Sequence, residues 1–361
     1  MSKPANAVDP KTTFTPEALN ESAQKYRTEL ITMPMFALQE ATKHMSMRTG
    51  IRYKEHVHEL KGRFQMGNFD KYKMGDGATN IDQRTLETFL GNAIEPISPV
   101  EIYKTLWGSD IVNPSAQARQ PWTKRICAYI IAQIGENMFN YLWTAMHDDA
   151  DTKQTMKWFN GFCAIEDAEI AAGSMSVEQG NIYFLPEAVT TENAEDIIKD
   201  FIWGNGSSWN GVDPKLLRQS SKLFMSHRMK HYYEEAYQIN HGALPYNLQY
   251  EKAHVDGVPQ VEFVALTNVP DDYLCLTPKN NILTLWNQET TDEGFEVKPS
   301  LTSHYDVDFI SNLFFGLQYL SINKEMLCCA RLQSKQYTAW KKTSSAASGQ
   351  GTTEGGGNQQ E

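Results

Sequence analysis

The chain has no long apolar run, no paired-cysteine motif and no excess of positive charge. Each absence removes a class of function. No stretch reaches the ~20 apolar residues that a membrane span needs. The first ten residues, Met1–Pro10, hold no apolar segment, so no signal peptide is read there. Five cysteines are present and no two are spaced C-x-x-C; the odd number reads as buried, reduced thiols in an intracellular protein. Lys and Arg total 33 against 44 Asp and Glu, a formal net charge of -11. A body built to grip nucleic acid needs clustered cations, so that role is excluded for the bulk of the chain. No G-x-x-x-x-G-K-[ST] loop, no G-x-G-x-x-G after a strand and no G-x-S-x-G elbow occurs, which leaves phosphate cradles and the serine-hydrolase turn without a candidate. There is no internal repeat.

What remains is a foldable balance. The 361 residues allow one large or two moderate domains, with 41% hydrophobic and 21% charged residues. The most organised stretch is Gln120–Met146. Pro121 suits the first helical position, where its missing N–H costs nothing. Trp122, Ile126, Ile130, Ile134, Met138 and Leu142 follow at i, i+4 spacing, and Tyr129, Phe139, Tyr141 and Trp143 widen the apolar face. Gln133, Glu136, Asn137 and Asn140 interrupt it, so it reads as a helical beam across a domain.

Before the beam, Met1–Pro16 is polar with three prolines and reads as an extended arm. A helix to Met33 and a second helical piece, Met35–Met47, follow. From Ile51 the period changes to two: Tyr53, Glu55, Val57 and Glu59 alternate with Lys54, His56, His58 and Leu60. Gly62, Gly67, Gly75 and Gly77 come next, and Leu86–Ile97 returns as a strand. Ile51–Ile97 therefore predicts a long, poorly buried hairpin with a glycine-rich tip. Such an edge is an aggregation hazard unless something covers it, and a neighbouring subunit would. A short helix is expected at Val100–Trp107.

After the beam, Trp158–Ile165 and Ala168–Ala172 are core pieces, and Thr190–Asn193 opens a helix with Ala194, Ile197, Ile198, Phe201 and Ile202 on its face. Asp213-Pro214 caps a second helix that the spacing carries through Leu223 and Phe224 as far as Ile239. Val258–Leu266, Tyr273–Leu276, Ile282–Trp286 and Phe295–Val297 are strands. Val307–Ile322 and Met326–Leu332 make a closing hairpin about Asn323-Lys324. Thr343–Glu361 lacks large apolar residues and reads as a disordered tail.

Candidate chemistry is thin. His227 and His231 stand at i, i+4 and His56 and His58 at i, i+2, yet the general base of H-E-x-x-H is missing. Cys163 has no histidine partner in sequence. No catalytic, cofactor-binding or metal-binding residues are assigned, and no cofactor is expected.

The order of parts resembles the major capsid proteins of tailed bacteriophages, the Hong Kong 97-like fold: an arm, an exposed hairpin, a long spine helix, then an α/β region. Short strings add to it. Trp158-Phe159-Asn160-Gly161-Phe162 after the spine helix, Leu223-Phe224-Met225-Ser226, Gly257-Val258-Pro259-Gln260-Val261 and Leu276-Thr277-Pro278-Lys279-Asn280-Asn281 are similar to runs in that family. The resemblance covers Thr15–Leu332 and implies an α+β chain. Its parts would be an N-terminal arm (1–50), an extended hairpin (51–97), a peripheral domain (98–189) with spine helix 120–146, an axial domain (190–299), a return to the peripheral domain (300–335) and a tail (336–361).

The resemblance further implies a non-enzymatic major capsid protein of the virion. It would be assembled in the host cytoplasm from hexamers and pentamers of itself into an icosahedral shell. Separate scaffold, portal and decoration or head-completion proteins would be partners. Double-stranded DNA would be enclosed without sequence-specific binding, and no membrane would be involved. Lys61, Lys71 and Lys73 lie near the hairpin tip, but no Asn and Glu match the partners that some members use to crosslink subunits. Two other readings are an encapsulin-like compartment shell and an α+β enzyme with a site near His227 and His231; the enzyme reading leaves the exposed hairpin unexplained.

Overall fold

A computed structural model describes residues 38–62, 79–98, 122–151, 153–241, 253–286, 294–301 and 306–340. In chain order the described elements are α1 (Gln39–Thr42), β1 (Ser46–Thr49), β2 (Lys54–Gly62), β3 (Thr79–Glu87), β4 (Phe89–Ile97) and α2 (Trp122–Tyr141). Then come α3 (Phe162–Ala171), β5 (Ile182–Leu185), α4 (Ala194–Trp203), α5 (Pro214–Arg218), β6 (Ser221–Ser226) and α6 (His227–His241). The chain closes through β7 (His254–Val255), β8 (Val258–Leu266), β9 (Tyr273–Pro278), β10 (Ile282–Trp286), β11 (Gly294–Pro299), β12 (Val307–Tyr319) and β13 (Cys328–Leu332).

A six-stranded sheet, in the order β5-β13-β9-β6-β8-β7, carries most of the core. Its inner strands are apolar and buried on both faces over Leu223–Met225, Phe263–Val264 and Tyr273–Leu276. Alternate residues feed two cores: Phe224, Val264, Tyr273, Cys275 and Cys329 enter the first, while Leu223, Met225, Phe263, Leu274, Leu276 and Ala330 enter the second. The second core is closed by α4, α5 and α6 through Ile197, Ile198, Phe201, Leu216, Met229 and Tyr233. The first is closed by α3, by the end of α2 and by a second sheet.

That second sheet is organised around the thirteen-residue β12. One edge of β12 pairs with β10 over Phe315–Tyr319 and with β11 over Val307–Asn312; the other pairs with β4 over Val307–Phe315. β1 lies parallel to β10 beyond it. Ile282, Trp286, Phe315, Leu317 and Tyr319 face the first core. Leu283 and Leu285 face the other way and meet Ile51 and Leu86 at the root of the β2–β3 hairpin.

The beam is a helix of 20 residues, α2. Its buried stripe matches the expected one at Met138 and Leu142 and departs from it earlier in the helix, where Cys127 and Ile131 are buried while Ile130 and Ile134 are half-buried. A 3.6-residue period drifts away from strict i, i+4 spacing, so the i+3 step has to enter the stripe. Pro121, Val100–Trp107 and the tail from 341 lie outside the described residues, as does the arm up to residue 37.

Several expectations are corrected. The expected helix from Asp213 to Ile239 is three elements, α5, β6 and α6. Ser221 and Leu223–Ser226 are buried in a strand that pairs with both β8 and β9. A run buried on every side is a central strand, and helical spacing within it is coincidental. The closing hairpin does not form: β12 and β13 lie in different sheets. Between them Asn281 takes the place of a ladder, its amide donating to Ser321 O (2.9 Å) and Met326 O (3.1 Å) while its Oδ1 accepts from Ser321 N (2.7 Å). The helical piece expected at Met35–Met47 is, where described, the four-residue α1 followed by β1. The strand return expected at Leu86–Ile97 is split, with β3 closing the hairpin and β4 joining β12. β10 and β11 pair with β12.

Candidate assembly surface

The hairpin pairs β2 with β3 in register from Lys54–Glu87 to Gly62–Thr79. Its outer side is solvated: Lys54, His56, His58, Ile81 and Gln83 are exposed, Ile81 at 68%. The inner side of its root is tied down. Arg84 reaches Glu169 of α3 at 3.0 Å and Gln318 of β12 at 3.3 Å, and Gln318 Nε2 donates to Thr85 O at 3.2 Å. Glu59 accepts from Ser321 Oγ and Asn323 Nδ2, each at 3.0 Å. Arg48 pairs with Glu55. These partly buried, charge-assisted contacts fix the direction in which the hairpin leaves the body. Within the hairpin expected to be poorly buried, Glu59 and Arg84 are therefore held against the body.

The turn from β3 into β4 is set by sterics. Thr88 is buried, its N–H donates to Tyr53 O at 2.7 Å and its Oγ1 to Ile51 O at 3.3 Å. Tyr53 sits at φ +60°, a conformation costly for a bulky residue. Opposite, Gly316 leaves room for the chain: a Cβ there would stand 2.2 Å from Glu87 O. Beyond the turn, Trp158 Nε1 donates to Phe89 O at 3.2 Å, and its ring occupies the space over Gly91. On the free face of β4, Leu90 and Ile94 are 49% and 55% exposed. They sit opposite Phe314 and Ile310 of β12. Among the described residues nothing covers the hairpin's outer face or this apolar strip.

The histidine candidates do not converge. His227 and His231 are exposed at the start of α6, with Glu235 3.7 Å from His231. His56 meets Thr85 at 3.1 Å, and His58 is exposed. Among the described residues neither pair joins a third ligating side chain. His44, by contrast, packs on the edge of Phe224, and burial together with the nearby Lys222 and Lys43 lowers its pKa from 6.5 to about 4. All five cysteines are buried. Burial pushes the Cys163, Cys328 and Cys329 thiols up, Cys127 to about 12, so none of these four is a ready nucleophile.

The densest polar group was not legible in sequence. Glu166 of α3 is fully buried and faces β9, β12 and β13. Its Oε1 accepts from Tyr273, from Tyr319 at 2.8 Å and from Cys329 Sγ at 3.3 Å. Arg331 Nη1 stands 3.7 Å from Oε2 and its other arm pairs with Asp167. Burial raises the Glu166 carboxyl above its ordinary value against the opposing pull of Arg331. No helix among the described residues is long and apolar enough to cross a membrane.

No family model and no curated protein matches the chain. Solved structures do. A chain of the satellite phage P4 procapsid, solved with the size determination (Sid) protein, aligns with 91% of this chain and 92% of its own length at TM-score 0.51 and 9% identity. A capsid chain of the native GTA particle covers 81% of this chain and 89% of its own at TM-score 0.51 and 12% identity. The capsid of the empty GTA particle gives 81%, 89%, 0.50 and 10%. The chain has the fold of phage capsid shell proteins. In particular it is the α+β Hong Kong 97-like fold of tailed-phage major capsid proteins.

Proposed function

We propose that this chain is the major capsid protein of a tailed phage. It assembles through its hairpin and the β4 face into hexamers and pentamers that close an icosahedral shell around packaged double-stranded DNA. The observation that carries the reading is the rooted hairpin. Its inner side is fixed to the body through Arg84 and Glu59, while its outer side and the neighbouring Leu90–Ile94 strip are uncovered among the described residues. A fixed lever with an open face suits docking onto a second copy, and repeated docking between identical copies gives closed symmetry. The unit holding α2 and the β12 sheet would serve as the peripheral domain, and the core closed by α4, α5 and α6 as the axial one. A net charge of -11 would let packaged DNA move along the wall without sticking. The role is structural, and a separate scaffold, portal and head-completion proteins would act with it in the host cytoplasm.

Deletion of residues 63–77 tests the reading. The protomer is expected to fold, seen as an unchanged cooperative unfolding transition, and to form no shells in negative-stain images. Intact shells from the deletion would overturn the hairpin's role.

A further inference from the structure

We propose that Glu166, Cys275 and Cys329 bind one zinc ion, a structural site that fastens α3 to the six-stranded sheet.

Cys275 and Cys329 are direct cross-strand neighbours on β9 and β13, on the face that meets α3. One ligand atom from each, with a Glu166 carboxylate oxygen, lies within 4.8 Å of the other two. Donors held by zinc at about 2.3 Å in a tetrahedron stand roughly 3.7 Å apart, so each pair closes by about 1 Å at most. Two thiolates and a carboxylate are the donor types zinc takes, and a site without exposed ligands is of the structural kind. Glu166 Oε2, buried without a hydrogen bond, faces Arg331 Nη1 at 3.7 Å, and Oε1 is the oxygen turned to Cys329 Sγ, 3.3 Å away.

The surroundings complete the site. Tyr319 OH lies 3.6 Å from Cys275 Sγ and donates to Glu166 Oε1 at 2.8 Å, so it borders two of the three donors. Zinc with two thiolates and one carboxylate carries a net charge of minus one. The Arg331 guanidinium, 3.7 Å from Glu166 and paired also with Asp167, lies beside that charge. Binding releases two protons, one from each thiol, as Zn–S bonds replace S–H bonds. No oxidant or reductant takes part.

The test uses the full-length chain purified with zinc present and no chelator, then desalted. Elemental analysis is expected to find about one zinc per chain, falling below about a tenth in Cys275→Ser/Cys329→Ser and staying at about one in His227→Ala/His231→Ala. Cobalt loaded in place of zinc is expected to give the near-ultraviolet thiolate-to-metal charge-transfer band. This measurement on the unaltered chain stands even if the double variant fails to fold. Absence of both zinc and the cobalt band would overturn the assignment, and so would zinc retained by a folded double cysteine variant.

Discussion

Gly316→Ala is the sharpest probe of how the hairpin is aimed. The added Cβ would lie 2.2 Å from Glu87 O, 3.1 Å from Thr88 Cα and 3.2 Å from Glu87 C. Every obstacle is backbone, so no side-chain rotation relieves it. Glu87 ends β3, and Thr88 N–H is bonded to Tyr53 O at 2.7 Å, so the segment cannot retreat without loosening the hairpin root. Gly316 itself is held in register with Leu285, which fixes it from the other side. Overpacking of this kind costs about 1–3 kcal/mol, more when a buried backbone bond is lost with it. The assay is the midpoint of denaturant unfolding of the soluble protomer, read beside shell yield. A lower midpoint and fewer shells are expected. An unchanged midpoint with normal shells would show that β3 and β4 do not turn at Thr88 against Gly316, and the hairpin's origin would need redrawing.

Four further outcomes are expected. Gly91→Ala meets the Trp158 ring at 2.1 Å, a ring packed against Phe159 and Phe315; it should destabilise by about 1–3 kcal/mol in the same unfolding assay. Arg84→Ala leaves Glu169 without its partner and frees the hairpin root, so limited proteolysis at the hairpin should speed up and shell yield should drop. Glu59→Ala removes the acceptor for Ser321 and Asn323 and should act in the same direction. His44 binds its proton less readily folded than unfolded. Stability should therefore fall as pH drops from 6.5 toward about 4, and thermal melts of His44→Gln across that window should show a shallower fall.

Local signals in the sequence were dependable where one residue sets the structure. Asp213 and Pro214 open α5 as expected, with Asp213 Oδ1 accepting from Lys215 N at 2.9 Å. Strands at Val258–Leu266 and Ile282–Trp286 fall where β-branched and apolar runs are bounded by turn residues. Sheet membership was not legible, because it depends on contacts between residues far apart in the chain. Nothing in Val307–Leu332 says that its two strands enter different sheets; the segment between them is bonded by the Asn281 side chain, forty residues away from Ser321. β6 read as helix because Leu216, Leu223 and Phe224 happen to match a helical period, while burial on both faces is invisible in one dimension. The Glu166 group drew no notice for the same reason: its members come from α3, β9, β12 and β13, and no motif joins them.

Capsid assembly is the central claim, and particle mass tests it most directly. Light scattering after size exclusion, with electron microscopy of the same fractions, is to be run on the full-length chain alone and co-expressed with a scaffold protein. Megadalton shells, or discrete pentamers and hexamers of the 41.0 kDa chain, are the expected result. A monomer or dimer under both conditions would contradict the account.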